Sequence, residues 1–447
     1  MNAPEGGLYR PLVLSIALLL VASGALLAIQ MISSIVGPFR LAEIGERDPR
    51  AVVAFWRPID TPAGAAVRSV LGHDLVDSGR AVREVTALAA LDAARVGALV
   101  LTEPRALTRN EVTALETYVE AGGGAVLIGS VAVRAPDGAW RGYEAMQRLL
   151  GAPVVPLEEA GAAAFVAARR GPLSAALAPR QRVAVAFEPG TPGVAADDAE
   201  LRWVGSGAAD GPAAAIRRTL GRGRLAWLAV PSERVLPGEQ ERSRARAIVE
   251  AAVAWVSRTP SVELLAWPDG APFAGTVEAA DVADAAVAEA GWLRAIDDAR
   301  RDGGIATLAV PRDGAAREAL EPALARALDV AKRDAGWIAT RRELSVWQRS
   351  RAVIDVSVRR AGPRRLILQI TNRAAEDVAG LVVRVHLNEP IRAAEVSGTK
   401  LFATPPRLAL SADREAADLF VPRLEGSSSA AYHLDTEPVD EREESAG

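Results

Sequence analysis

The sequence contains no cysteine, which excludes disulfide bonds, thiolate metal sites and a cysteine nucleophile. Histidine occurs only as His73, His386 and His433, so the long interval between the first two offers no imidazole base. Lysine is found only at positions 332 and 400, and arginine therefore carries nearly all of the positive charge. These absences predict a protein without catalysis based on Cys or on paired His residues.

The bulk composition is that of a folded protein with more than one domain. The chain has 447 residues, of which 50% are hydrophobic and 24% are charged, and this length is enough for two or three separate cores. Because the net charge is only −4, nothing draws the chain as a whole towards nucleic acid. We therefore expect no nucleic-acid partner.

A long uncharged segment near the start predicts a membrane anchor. No charged residue lies between Arg10 and Arg40, and the interval Pro11–Gly37 exceeds the roughly 20 residues that a helix needs to cross a bilayer. A cleaved signal peptide is the alternative, but its apolar stretch usually has about 7–15 residues. The sequence therefore predicts a single uncleaved span in the inner membrane. The flanking charges leave its orientation open, and the soluble domains are expected on the periplasmic side because later segments resemble envelope-type proteins.

Residues 51–258 show the alternation of strands and helices that produces a parallel sheet. Thr108 and Glu111 form the pattern of a capping box, and Gly122-Gly123-Gly124 ends the helix that follows. The predicted strands are Ala51–Trp56, Ala98–Thr102, Ala125–Ile128 and Arg224–Val230, and a helix over Gln240–Ser257 closes the unit. The pattern predicts a doubly wound α/β domain.

The stretch from Val100 to Ser130, together with LGRGRLAWLAVP at Leu220–Pro231, resembles the class I glutamine amidotransferase-like fold. Enzymes of that superfamily carry a nucleophilic Cys at a strand end and a partner His. Here the residue at the strand end is Ser130, which makes it a weak catalytic candidate. A turn or capping role is the alternative for this serine.

Residues 262–350 also alternate between strands and helices, in shorter elements. The stretches Trp267–Ala285 and Ala335–Arg351 resemble the entry and the exit of polysaccharide deacetylases, which have a distorted (β/α) barrel. The interval between them is too short for a whole barrel, so the resemblance implies a truncated segment. In that family an early Asp is the base, and a second Asp binds the metal together with two His residues.

Three acidic residues, Glu278, Asp281 and Asp284, match the acidic motif of that family, but the His pair has no counterpart. Their spacing would place them loosely along one face of a helix. They are weak candidates for a residual metal or base site, and the alternative is a solvated acidic helix start that the helix dipole favours. We expect no bound metal and no cofactor.

From Ala352 onwards apolar and polar residues alternate, as in the strands of an antiparallel sheet. The pattern predicts an immunoglobulin-like β-sandwich over residues 351–434, followed by a disordered acidic tail over 435–447. His386 is predicted on the solvent side of a strand, and His433 near the end of the last strand. His73 is predicted in a Gly-containing turn.

Several further features predict packing rather than chemistry. The glycines at 122–124 and 221–223 do not match a phosphate-binding motif and are expected to form turns. The nearby arginines at 217, 218, 222 and 224 are a weak candidate for an anion site. Trp337 and Trp347 are expected to pack, and Trp347 is predicted to be buried where the 262–350 segment meets the sandwich.

Together these observations predict a membrane-anchored, non-catalytic envelope protein. It would act as a scaffold or binding component in surface-polysaccharide or cell-envelope metabolism, with a polysaccharide or an envelope protein as its partner. Two alternatives remain open from the sequence. One is an active deacetylase-type hydrolase with an atypical carboxylate site, and the other is a sensory or transporter-associated subunit.

Overall fold

The computed structural model describes residues 49–56, 62–157, 161–175, 177, 181–187, 190–204, 211–229, 239–280, 285–362, 364–398 and 406–439. The predicted anchor, Pro11–Gly37, lies outside the described residues. Within those ranges, no helix is both long enough and apolar enough to cross a membrane. The described chain folds into an α/β lobe, a small α/β unit and a β-sandwich.

The α/β lobe is built on an 11-stranded mixed sheet. Its strands are β1 (Val52–Trp56), β2 (Ala81–Val85), β3 (Ala98–Thr102), β4 (Gly124–Ile128), β5 (Val154–Pro156), β6 (Gly161–Ala167), β7 (Arg182–Phe187), β8 (Pro192–Val194), β9 (Leu201–Val204), β10 (Ala213–Leu220) and β11 (Gly223–Leu228). The main path runs β2-β1-β3-β4-β11-β10-β9-β6-β7, and β5 and β8 join it through β10.

The first five strands of this path, β2, β1, β3, β4 and β11, are parallel, as the sequence predicts. Strands β1 and β4 are buried along their whole length, which explains their continuous apolar runs. The helices of the lobe are α1 (Pro62–Asp77), α2 (Arg109–Glu120), α3 (Glu144–Leu150) and α4 (Glu239–Val256). The capping box of Thr108 and Glu111 is present at the start of α2 and is confirmed.

The other half of the sheet is antiparallel, so a purely parallel, doubly wound sheet is not what forms. The sequence pattern predicts no strand between residues 131 and 212. Strands such as β6, with the sequence GAAAFVA, are rich in alanine and lack the alternation that marks a strand. Here tertiary pairing overrides a weak local preference.

The small α/β unit contains a three-stranded parallel sheet in the order β14-β13-β15. Its elements are β13 (Ala274–Ala280), α5 (Ala285–Asp302), β14 (Ile305–Pro311), α6 (Gly314–Arg333), β15 (Trp337–Ile338) and α7 (Arg341–Ala352). The sequence predicts a helix over Glu321–Asp334, but α6 starts earlier, at Gly314, because Asp313 caps it and Pro322 lies inside it. A proline close to a predicted start resembles the first residue of a helix, which explains the error.

Two four-stranded antiparallel sheets form the sandwich, β12-β18-β21-β20 and β16-β17-β22-β19. The strands are β12 (Ser261–Leu264), β16 (Ile354–Arg360), β17 (Arg365–Asn372), β18 (Val378–His386), β19 (Ile391–Gly398), β20 (Arg407–Leu410), β21 (Ala416–Leu424) and β22 (Ser429–Pro438). Antiparallel sheets in this region are confirmed. Strand β12 precedes the small α/β unit in sequence but pairs with β18 of the sandwich. Strand β22 extends to Pro438, so the first residues of the predicted tail over 435–447 are part of a strand.

The small α/β unit and the sandwich share one hydrophobic core. Trp347 on α7 is buried, and its indole Nε1 donates to the carbonyl oxygen of Ala266 at 2.7 Å. Its ring lies 6.2 Å from that of Trp337, which in turn lies 6.1 Å from Trp267. The same core contains Leu366 and other inward residues of the sandwich. The predicted burial of Trp347 at this junction is confirmed.

Candidate functional site

Ser130 follows β4 at the carboxyl end of the parallel strands and is half-buried. The preceding residue, Gly129, has a φ of +79°, and its carbonyl oxygen accepts a hydrogen bond of 2.8 Å from the indole of Trp227. The amide of Gly129 donates to the carbonyl oxygen of Leu228. These bonds of Gly129 fix the backbone as it leaves the strand, one residue before Ser130.

His386 is buried, and its predicted position on the solvent side is wrong. Its Nε2 lies 3.3 Å from Oε2 of Glu263, and the other carboxylate oxygen of Glu263 is ion-paired with Arg170 of the α/β lobe. Strand β12 brings Glu263 beside β18, and the lobe covers that face of the sheet. In the sequence, Glu263 is the one charged residue in the apolar run VELLAW. A charge in such a run needs a buried partner, and this was the signal that could have predicted the pair with His386.

Arg224 makes a second contact between the lobe and the sandwich. Its guanidinium donates to the carbonyl oxygen of Asn388 at 2.8 Å and lies 3.1 Å from Oε1 of Glu415. The same group stacks on the ring of Trp255, with 5.0 Å between its central carbon and the ring centroid. We call the contacts of Arg170, Glu263 and His386, together with those of Arg224, Asn388 and Glu415, the ionic joint.

The ionic joint and Ser130 lie at opposite ends of the parallel strands. Arg224 pairs with Gly124, the first residue of β4, whereas Ser130 follows the last residue of that strand. Six residues of extended chain separate the two positions by roughly 20 Å. His386, close to Asn388, is therefore far beyond the contact distance that a base would need to activate Ser130.

The electrostatics of the ionic joint favour permanent charge. Burial alone would raise the pKa of Glu263, but the hydrogen bond with His386 and the positive charge of Arg170 hold that pKa below its ordinary value. For Arg224 burial is the larger influence and lowers the pKa, while the carboxylate of Glu415 opposes that shift. Each buried charge thus has a partner of opposite sign, as a stable buried ion requires.

A cleft of about 400 Å³ lies beside the ionic joint, between the α/β lobe and the sandwich. Four arginines and four carboxylates contribute to its lining, together with His386 and Asn388. Several of these charges are already used, because Arg217 pairs with Glu200 and Arg224 pairs with Glu415. The cleft is therefore mainly a contact between two lobes, in which positive and negative side chains neutralise each other.

The acidic candidates are not brought together by the part of the chain that the structure describes. Glu278 lies in strand β13, so the predicted helical spacing is wrong for this residue. Its carboxylate is 3.1 Å from the guanidinium of Arg341. Asp281 and Asp284 lie outside the described residues. Among the described residues, no group of three or more His, Asp or Glu side chains is placed to hold a metal ion.

Close packing requires glycine in the turn at 221–223. A Cβ atom on Gly223 would lie 2.0 Å from the carbonyl oxygen of Val119, at the end of α2. The amide of Arg222 donates to the carbonyl oxygen of Glu120, which ties the two turns together. The expected turn role is confirmed, because the backbone there approaches α2 too closely for a side chain.

The four nearby arginines do not converge on an anion site. The guanidinium of Arg218 donates to the carbonyl oxygens of Arg148 and Leu149, and that of Arg222 donates to the carbonyl oxygen of Ala121. Arg217 and Arg224 are held by carboxylates, as described above. Each of the four thus has a protein acceptor of its own.

The remaining histidines stay single. His73 lies in helix α1, not in a turn, and its Nδ1 is 2.7 Å from the carbonyl oxygen of Ser69. The predicted turn is wrong, because Gly72 is tolerated inside a helix whose flanking residues continue it. His433 lies in β22, the last strand, as predicted.

No family model matches the sequence, and no curated protein matches it either. Among solved structures, a β-galactosidase from Bacillus circulans sp. alkalophilus is 10% identical, with a TM-score of 0.33 over 86% of this chain and 41% of that one. A putative ThuA-like protein from Bacteroides uniformis is 16% identical, with a TM-score of 0.32 over 46% of this chain and 91% of that one.

A β-galactosidase from Halorubrum lacusprofundi is 17% identical, with a TM-score of 0.31 over 45% of this chain and 30% of that one. The chain therefore spans less than half the length of these β-galactosidases. These similar structures are glycosidases and a ThuA-like protein, not deacetylases. The prediction of a truncated deacetylase after the amidotransferase-like domain is thus wrong.

The geometry of residues 262–350 agrees with this correction. A barrel needs its strands to continue round a closed ring, but the sheet here stops at the three strands β14-β13-β15. Strand β12, at the start of the segment, pairs with β18 of the sandwich instead. What the structure does show is an α/β fold with a mixed sheet, followed by antiparallel sheets.

Proposed function

We propose that this protein is a membrane-anchored, non-catalytic binding component of the cell envelope. The observation that carries the proposal is the position of His386, which is paired with Glu263 in the ionic joint at the far end of the strands from Ser130. In this proposal the charged groups hold the α/β lobe and the sandwich as one body and do not act on a substrate.

Two other observations support the proposal. The uncharged interval Pro11–Gly37 is long enough for a membrane span. Among the described residues, the sandwich contacts the amino ends of the parallel strands through Arg224. Open α/β sheets usually bind ligands at the opposite, carboxyl ends. A membrane-anchored protein that presents the carboxyl ends of its parallel strands to a ligand would suit a binding component. The transporter-associated alternative differs in its partner and shares this architecture.

The test is a comparison of turnover between the full chain in mild detergent and its Ser130→Ala variant. Release of ammonia from glutamine and hydrolysis of p-nitrophenyl acetate cover amide and ester chemistry. We expect the same background rates for both proteins, and the same melting temperature, because no hydrogen bond joins Ser130 to a base among the residues that the structure describes. A rate well above background that disappears in Ser130→Ala would overturn the proposal.

A further inference from the structure

A short hairpin at the carboxyl edge of the parallel strands displays an exposed tryptophan. Arg134 and Trp140 form an isolated β-bridge, and the turn between them is closed by Ala135 and Gly138 through a backbone bond of 2.8 Å. Trp140 is 56% exposed and is the only aromatic side chain among the exposed large hydrophobic residues that the structure describes. Its indole ring is therefore available from solvent.

The hairpin is anchored to the sheet. The amide of Ala132 donates to the carbonyl oxygen of Pro104 and that of Arg134 to the carbonyl oxygen of Arg105, so the hairpin rests on the loop that follows β3. The amide of Arg141 donates to the carbonyl oxygen of Val133. Because its backbone bonds are made within the protein, the hairpin loses little conformational entropy when a ligand binds.

The orientation of the Trp140 ring is also fixed. Tyr143 meets it edge-on, with 5.2 Å between centroids and an angle of 86°, and the hydroxyl of Tyr143 donates to the carbonyl oxygen of Gly190 at 2.9 Å. The guanidinium of Arg134 lies 6.0 Å from the Trp140 centroid and uses one N–H on the carbonyl oxygen of Gly138. An Arg fork has further N–H groups that can bind hydroxyl oxygens.

The surroundings of Trp140 distinguish between kinds of ligand. A surface for docking protein needs several large apolar anchors in one patch. The exposed neighbours in this hairpin are Arg134, Pro136, Asp137, Gly138, Ala139 and Arg141, of which only Pro136 and Ala139 are apolar and neither is a large anchor. One flat ring with a polar rim suits a ligand that has one apolar face and many hydroxyl groups. A pyranose ring with equatorial substituents has this form, because its axial C–H groups all point to its two faces.

We propose that Trp140 is a stacking platform for a β-linked, gluco-configured oligosaccharide, with Arg134 binding its hydroxyl groups. The inference rests on the proposed function, since it names the ligand of a non-catalytic binding component. The indole of Trp140 covers one face of a sugar ring, and Tyr143 keeps the indole in place. No covalent step is involved.

The test uses the full chain labelled with 5-fluorotryptophan, in which nine tryptophans give the fluorine signals and Trp140→Phe assigns the signal of interest. Cellotetraose and tetra-N-acetylchitotetraose are the probes, at up to about 10 mM, where even a site with a millimolar Kd would be filled. We expect the Trp140 signal to shift saturably with at least one probe. We expect Trp140→Ala to lower the affinity, measured for all variants by isothermal titration calorimetry, by about tenfold or more.

Val346→Ala is the matched control, because Val346 is exposed to a similar degree on helix α7 and the change should leave the affinity unaltered. No shift with either probe, or equal affinity in Trp140→Ala, would overturn the platform. The probes are then recovered and their length is measured. Intact probes agree with a binding component, whereas cleaved probes would overturn the proposed function and leave the result on Trp140 to be judged from the shifts alone.

Discussion

The guanidinium of Arg224 donates to the carbonyl oxygen of Asn388, 164 positions further along the chain, at 2.8 Å. One residue belongs to a strand of the α/β lobe, and the other follows a strand of the sandwich. Arg224 is buried at this contact and is flanked by the ring of Trp255 and the carboxylate of Glu415. The two lobes are therefore joined by a desolvated charge and by apolar contact.

Replacing this arginine should destabilise the whole protein. Arg224→Gln leaves the carbonyl of Asn388 and the carboxylate of Glu415 without their donor, which should lower the free energy of unfolding by about 3 kcal/mol. Arg222→Gln, two residues away and exposed, is the control and should change it by less than about 0.5 kcal/mol. Denaturant unfolding of the full chain, followed by tryptophan fluorescence, measures both. Equal effects of the two changes would contradict a stabilising role for the joint.

The pH dependence of stability should report on Glu263. Its pKa in the folded protein is held below the ordinary value of 4.5, against the effect of burial, by His386 and Arg170. The stability that the ionised carboxylate contributes is therefore present above pH 4.5 and is lost as the pH falls through the lower, folded pKa. Wild type should lose more stability on acidification than Glu263→Gln, which lacks this group. Parallel curves for the two proteins would show that Glu263 is not the group responsible.

Trp347 should carry much of the stability of the core that the small α/β unit shares with the sandwich. Trp347→Ala removes a buried ring and the hydrogen bond to Ala266, and should cost about 3–5 kcal/mol. Val346→Ala, the neighbouring exposed position, should have little effect. In thermal unfolding of the full chain, we expect one transition for these two parts, shifted to lower temperature in Trp347→Ala. Two transitions, neither of which moves, would mean that the sandwich folds by itself.

The proposed anchor predicts a membrane-bound protein with its domains outside the cytoplasm. A reporter that is active only in the periplasm, fused after Gly447, should give a signal. A variant lacking Pro11–Gly37 should leave the membrane fraction under carbonate extraction, while the intact chain should remain there. Activity of a cytoplasmic reporter at the same position would contradict the proposed placement.

The parts of the fold that the sequence predicts are those determined locally. Strands β1, β3 and β4 are continuous apolar runs, and Thr108 with Glu111 forms a cap within four residues. The antiparallel half of the large sheet includes alanine-rich strands such as β6 and β10, whose sequences do not alternate. Local patterns therefore indicate the parallel strands and miss the rest of that sheet.

The candidate site shows the same limit. The buried state of His386 depends on β12, which comes from a segment 123 positions earlier and pairs with β18. Alternation within β18 alone assigns one face to solvent, and it cannot show that Arg170 and Glu263 cover that face. The helix predicted around Glu278 fails for a related reason, because β13 is a strand only through its pairing with β14.

The chain enters β1 at the end of the strands that the sandwich covers. Arg50, immediately before β1, is ion-paired with Glu389 of the sandwich, so the chain enters at the covered end of the strands. If the proposed span ends at Gly37, the distance from its end to residue 49, shortly before β1, is at most about 40 Å. The anchor would then be attached to the folded body at the end of the strands opposite Trp140.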